Sequence, residues 1–160
     1  MKYQRLSNAE LENLKEDFIR FIASQGIDAP AWTKMKTDNN AEAEKLIHIY
    51  SDLVYDQALA KAQYMEHVSA KEFKSIQFKD TETLIHGIKV THNSAINLNT
   101  DEFQQSVERG LENKEIEVFT ATKKHNKLRE QEMFEWIQKG AYLADEKWFN
   151  EITRLIHHLK

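Results

Sequence analysis

Hydrophobic positions near the start of the chain recur at intervals of three and four. Leu11, Leu14, Phe18, Phe21 and Ile22 mark a helix that buries one face. Ser7-Asn8-Ala9-Glu10 has capping-box spacing, with Leu6 and Leu11 placed as a hydrophobic staple. Gly26 supplies a left-handed stop before the apolar Ile27, so the pattern predicts one helix over 8–25. Asp28-Ala29-Pro30 then reads as a cap with proline in the first turn, opening a short helix with Trp32 and Met35 on one face. Thr37-Asp38-Asn39-Asn40 interrupts it. From Ala41 to about His67 the chain has no Gly or Pro. Leu46, Ile47, Ile49, Tyr50, Leu53, Val54, Ala58, Leu59, Ala62 and Met65 cover more than one helical stripe there, which predicts a long central helix contacted from two sides.

Around Ser69 the period changes. Phe73, Ile76 and Phe78 lead into Asp80-Thr81-Glu82-Thr83, after which Leu84, His86, Ile88 and Val90 alternate with Ile85, Gly87 and Lys89, the two-residue period of a strand. A β-hairpin is expected. Thr100-Asp101-Glu102 caps a further helix carrying Phe103, Val107 and Leu111, expected to be interrupted near Gly110. Ile116, Val118 and Thr120 then alternate with Glu117, Phe119 and Ala121, a third strand in which β-branched residues dominate one face; continued helix is the rival reading of 115–122. Two helices finish the chain, one with Met133, Phe134, Trp136 and Ile137 that stops at Gly140, the other with Trp148, Phe149, Ile152, Leu155, Ile156 and Leu159. The expected architecture is a single α+β domain over 1–160. It has a small, mainly antiparallel three-stranded sheet (about 73–79, 84–90 and 116–122), N-terminal and C-terminal helix pairs, and helices on one sheet face.

The composition permits a packed core, with 41% hydrophobic and 30% charged residues among 160. Without cysteine there is no disulfide framework, thiolate metal site or cysteine nucleophile, which fits a reducing compartment. No apolar run approaches the roughly 18 residues of a membrane span, and the opening Met1-Lys2-Tyr3-Gln4-Arg5-Leu6-Ser7 leads into a charged amphipathic segment, so a cytoplasmic address and no membrane partner are expected. The net charge of −4 selects no partner by itself. Gly26, Gly87, Gly110 and Gly140 are too scattered for a Walker or Rossmann phosphate loop, and no cofactor is implied.

Three constellations remain. Glu44, His48 and Asp52, four apart, would stack on one helix face as a metal or acid–base row, although an amphipathic helix shows such rows on its solvated side. Lys123, Lys124, Lys127 and Arg129 would surround a helix N-terminus, a geometry that suits an anion, RNA backbone or an acidic partner; a solvated loop that blunts a sheet edge is the plainer reading. Trp32 and Tyr142 stand out among the aromatics as partner-binding candidates, the others falling on core faces. His86, on the apolar side of its strand, reads as a hydrogen-bonded core or edge residue.

The opening M-K-Y-Q-R-L-S-x-x-E-L-E-x-L-x-x-x-F-I-x-F, the following A-S-Q-G-I-D-A-x-x-W-x-K-x-K and the later R-E-x-E-M-F-x-x-I-x-x-G resemble a family of small uncharacterised cytoplasmic proteins from Bacteroidetes-type bacteria. The resemblance spans most of the chain, implies a stand-alone protein, and carries no activity and no assigned residues. No catalytic residue is identified. A non-enzymatic interaction protein, docking a protein partner or a second copy of itself, is the expected function. An RNA- or ribosome-associated factor using 123–129 is the alternative, and an enzyme around Glu44, His48 and Asp52 the second.

Overall fold

A computed structural model describes residues 2–159. The chain forms two compact units, Met1–Ala58 and Leu59–Lys160.

The first unit is helical. Ser7 and Glu10 form the expected capping box in front of α1 (Asn8–Asn13), satisfying two backbone N–H groups that a helix start leaves free. The predicted helix over 8–25 is broken at Leu14, whose φ of −103° leaves the helical region, and resumes as α2 (Lys15–Ser24). Gly26 takes a φ of 77°, a conformation that costs glycine nothing. There Ile27 N–H reaches Ile22 O at 3.2 Å and Gly26 N–H reaches Ala23 O at 2.9 Å, a closing geometry that caps helix carbonyls. Asp28 accepts from Ala31 N–H at 2.8 Å to cap α3 (Ala29–Asp38). Next comes α4 (Asn40–Lys61), which runs into the second unit.

The second unit carries a sheet that corrects the sequence reading. It has five strands, not three, all antiparallel, in the order β4-β3-β2-β1-β5: β1 (Tyr64–Val68), β2 (Glu72–Phe78), β3 (Glu82–Val90), β4 (Ile116–Lys124) and β5 (Tyr142–Ala144). The three expected strands correspond to β2, β3 and β4. The two missed strands have separate causes. The spacing of Ala62 and Met65 extends the expected long helix to about His67, yet β1 alternates Met65 and His67 against Tyr64, Glu66 and Val68. What ends the helix is distant in sequence. The Arg129 guanidinium donates to Leu59 O at 3.0 Å and to Ala62 O, capturing carbonyls at and just beyond the C-terminus of α4. Strand β5 has only three residues, too few to show a period, and among the described residues it pairs with β1 alone.

Three helices flank this sheet: α5 (Phe103–Glu112), α6 (Arg129–Gln138) and α7 (Lys147–His158). They occupy both faces, which overturns the expectation of helices on one. Paired positions place Val68, Phe73, Ile88 and Val118 in one row across the strands. On that face Phe73, Ile88, Val90, Leu98 and Ile116 pack with Val107 of α5 and Ile152 of α7 in one buried cluster. The opposite face carries His67 and Lys74, which meet Trp136 of α6 at 6.0 and 5.6 Å between ring centroids and from ammonium to ring, respectively. Seven helices and five strands are present among the described residues.

Candidate functional site in the N-terminal helical unit

The first unit contains an open cleft of about 540 Å³, with walls from α1, α2, α3 and α4. Its apolar lining includes Leu11, Phe18, Ile19, Ile22, Trp32 and Ile47. Phe18 is held edge-on between Trp32 (5.4 Å, 75°) and Tyr50 (5.0 Å, 62°), the arrangement that aromatic quadrupoles favour. Tyr50 in turn donates to Asp17 Oδ2 at 2.8 Å, and burial together with that carboxylate pushes its hydroxyl pKa well above the ordinary value. The wall is therefore built on a fixed aromatic group. Ile19 stays 53% exposed, although the chain has a core in which to bury such a side chain. Charges of both signs rim the cleft: Lys15 and Lys36 stand with Glu12 and Asp28.

Arg5 and Glu44 contribute a bidentate pair to the lining, with Nε–Oε2 at 2.7 Å and Nη2–Oε1 at 2.9 Å. The hydrogen bond from Arg5 holds the Glu44 carboxyl below the usual range, against a smaller upward push from burial. The other two members of the sequence-derived row are placed differently. Asp52 accepts backbone N–H groups from Lys2 (2.8 Å) and Tyr3 (3.1 Å), one on each oxygen, and His48 approaches Glu44 only at 3.9 Å. Among the described residues no group of three or more His, Cys, Asp or Glu side chains is arranged to hold a metal ion.

The basic segment of the second unit is largely engaged with its own protein. Lys123 meets Glu132 Oε2 at 3.1 Å, while Glu132 Oε1 accepts Asn126 N–H at 3.2 Å. Burial pushes the Glu132 carboxyl upward, but Lys123 and the Asn126 N–H outweigh it and leave the pKa lowered. Lys127 pairs with Glu135, and Arg129 is only 13% exposed on its helix-ending carbonyls. Lys124 is exposed and has no ion-pair partner among the described residues.

Tyr142 lies on β5, 47% exposed, and donates to Glu66 Oε2 at 3.1 Å. Burial, reinforced by Glu66, pushes the tyrosine pKa up to about 12, and burial likewise raises that of Glu66. Trp32 and Tyr142 thus belong to different units. His86 stacks on Phe149 at 3.9 Å and 10°, with Thr153 Oγ1 3.0 Å from its Nδ1, and burial lowers its pKa.

Sequence reasoning singled out Trp32 but missed the cleft around it. The available signal was Ile19, which lies just off the apolar stripe of its helix and widens it beyond what one buried face requires. A model built from a protein family matches residues 1–157. The chain belongs to the family of unknown function DUF6495. No curated protein and no solved structure matches it. Among the described residues of this DUF6495 member, no helix is long and apolar enough to cross a membrane.

Proposed function

We propose that this DUF6495 protein is a non-enzymatic cytoplasmic interaction protein whose N-terminal helical cleft receives the apolar face of a partner protein's helix. The observation that carries the reading is an exposed isoleucine, Ile19, beside Trp32 on an apolar surface framed by four helices. A helix-receiving groove needs an apolar floor that takes two or three large side chains. It also needs a rim that tolerates the polar flanks of an amphipathic helix. Lys15 and Glu12, 3.8 Å apart and exposed, stand there with Asp28, which caps α3, and Lys36, which lies over the Trp32 ring, so the rim carries both signs of charge for a partner's polar flanks. Trp32 contributes the large, rigid contact area typical of interface anchors.

The RNA-binding alternative draws less support, because Lys123, Lys127 and Arg129 already bond to protein groups and a phosphate contact would have to break or share those bonds.

The test compares Ile19→Glu with Leu143→Glu, which alters another exposed apolar side chain in the second unit. Each tagged chain is recovered from its own host, and bound protein is quantified against wild type. Loss of a specific partner by about tenfold or more from Ile19→Glu alone is expected. Equal retention by all three chains would contradict the proposal.

A further inference from the structure

Strand β4 is an open edge of the sheet, and its side chains run from acidic to basic along its length. The edge groups follow from the register. His125 N–H bonds to Thr81 O, and Thr91 N–H bonds to Glu115 O, each at 2.9 Å just outside the two ends of the β3–β4 pairing. Backbone groups in an antiparallel ladder alternate in direction. The odd-numbered residues Glu117, Phe119, Ala121 and Lys123 therefore direct their N–H and C=O groups at β3, and the even-numbered Val118, Thr120, Thr122 and Lys124 direct theirs outward. None of those outward groups bonds to another described residue.

Natural proteins usually blunt such an edge with proline, a bulge, an inward charge or a short strand. Here nine residues pair with β3 without a bulge or proline, and Thr120 to Lys124 are all exposed. Ile116, Val118, Thr120 and Thr122 are all β-branched, the residue class that favours strand. Phe119 stiffens the centre. Its ring lies across Gly87, where a Cβ would come within 2.1 Å of it, so the glycine is required for the ring to cover the β3 backbone.

We infer that β4 pairs antiparallel with β4 of a second copy about a two-fold axis at Thr120, joining two five-stranded sheets into one. In that register Thr120 faces its own copy, Val118 faces Thr122, and the outward N–H and C=O groups of these residues satisfy each other. On the intervening positions Glu117 faces Lys123 of the other chain, twice by symmetry, and Phe119 faces the small Ala121. This register pairs the strand over its full length, and it alone sets Glu117 opposite Lys123. Lys123 also bonds Glu132, but an ammonium has three donors and can serve both carboxylates. A parallel arrangement would instead set lysines beside lysines. Lys123, one of the two lysines that protect this end of the edge against other strands, thus finds its complement in Glu117 of a second copy, while Lys124 lies at the outer end opposite Ile116; that match selects a second copy over an arbitrary extended peptide. The inference is independent of the groove reading, which concerns the other unit.

The test is sedimentation of the full chain over a range of concentrations, combined with single spin-labelled cysteines introduced at positions 118 to 124 of this cysteine-free sequence. A reversible dimer is expected, with the shortest inter-label distance at Thr120→Cys and distances lengthening on either side. Thr120→Lys, an exposed substitution that sets like charges against each other at the axis, is expected to weaken the dimer by about a hundredfold or more while circular dichroism stays unchanged. A monomer at every concentration, or a dimer whose label distances have no minimum at 120, overturns the inference.

Discussion

Arg5 holds Glu44 through two nitrogen–oxygen contacts at the cleft, and the sign of the resulting pKa shift gives the pair a pH signature. The folded-state carboxyl lies below its ordinary value of 4.5, chiefly because of the Arg5 hydrogen bond. A depressed folded pKa means that the unfolded chain binds the proton more readily, so the stabilisation is complete above the unfolded value and is lost as pH falls through the folded one. Arg5→Ala is therefore expected to lower the melting temperature at neutral pH, with the gap from wild type closing as pH drops below 4.5. Thermal melts of both proteins from neutral to acidic pH measure it, and a gap that stays constant into acid would show that the pair contributes nothing through ionisation. Glu66 has the opposite sign. Its pKa is raised by burial, so its ionisation opposes folding as pH rises through the folded value.

At the scale of elements, Arg129 separates what the sequence makes legible from what it hides. Local signals identify the capping box at Ser7, the stop at Gly26, the hairpin of β2 and β3, and the alternating strand β4, because each depends on residues within a few positions of one another. The end of α4 depends on a guanidinium 67 and 70 residues away, bonded to Ala62 O and Leu59 O. No local period records that contact, so β1 reads as more helix. For the same reason β5 exists only as a partner for β1. Among the candidate site residues, Trp32 is legible as an aromatic on a short helix, while the cleft that gives it meaning needs four helices brought together.

Arg129 reads from sequence as an anion ligand, and in the structure its guanidinium bonds to the carbonyls that end α4. Two charge-assisted bonds to carbonyls, with a longer one to Phe78 O at 3.4 Å, make it worth about 2–4 kcal/mol. Chemical denaturation of Arg129→Ala is expected to show a loss of that size. Arg129→Lys should recover less than half of it, since an ammonium cannot reproduce a planar fork aimed at separate carbonyls. Full recovery by lysine would reduce the role of Arg129 to simple charge.

For the molecule as a whole, the two units present different surfaces: a helical cleft in Met1–Ala58, and in Leu59–Lys160 a five-stranded sheet with one long open edge. One suits the side chains of a helix and the other the backbone of a strand, so the two modes of association do not compete for the same groups. The central claim is that the cleft is occupied by a partner's helix. It is tested most directly by placing a photo-reactive phenylalanine analogue at Ile19, and separately at Trp32, in the otherwise native chain, irradiating living cells and sequencing the cross-linked peptide. The account predicts that both positions capture the same segment of one protein, and that its apolar residues recur at intervals of three and four. Capture of nothing, or of unrelated extended segments from many proteins, would contradict it.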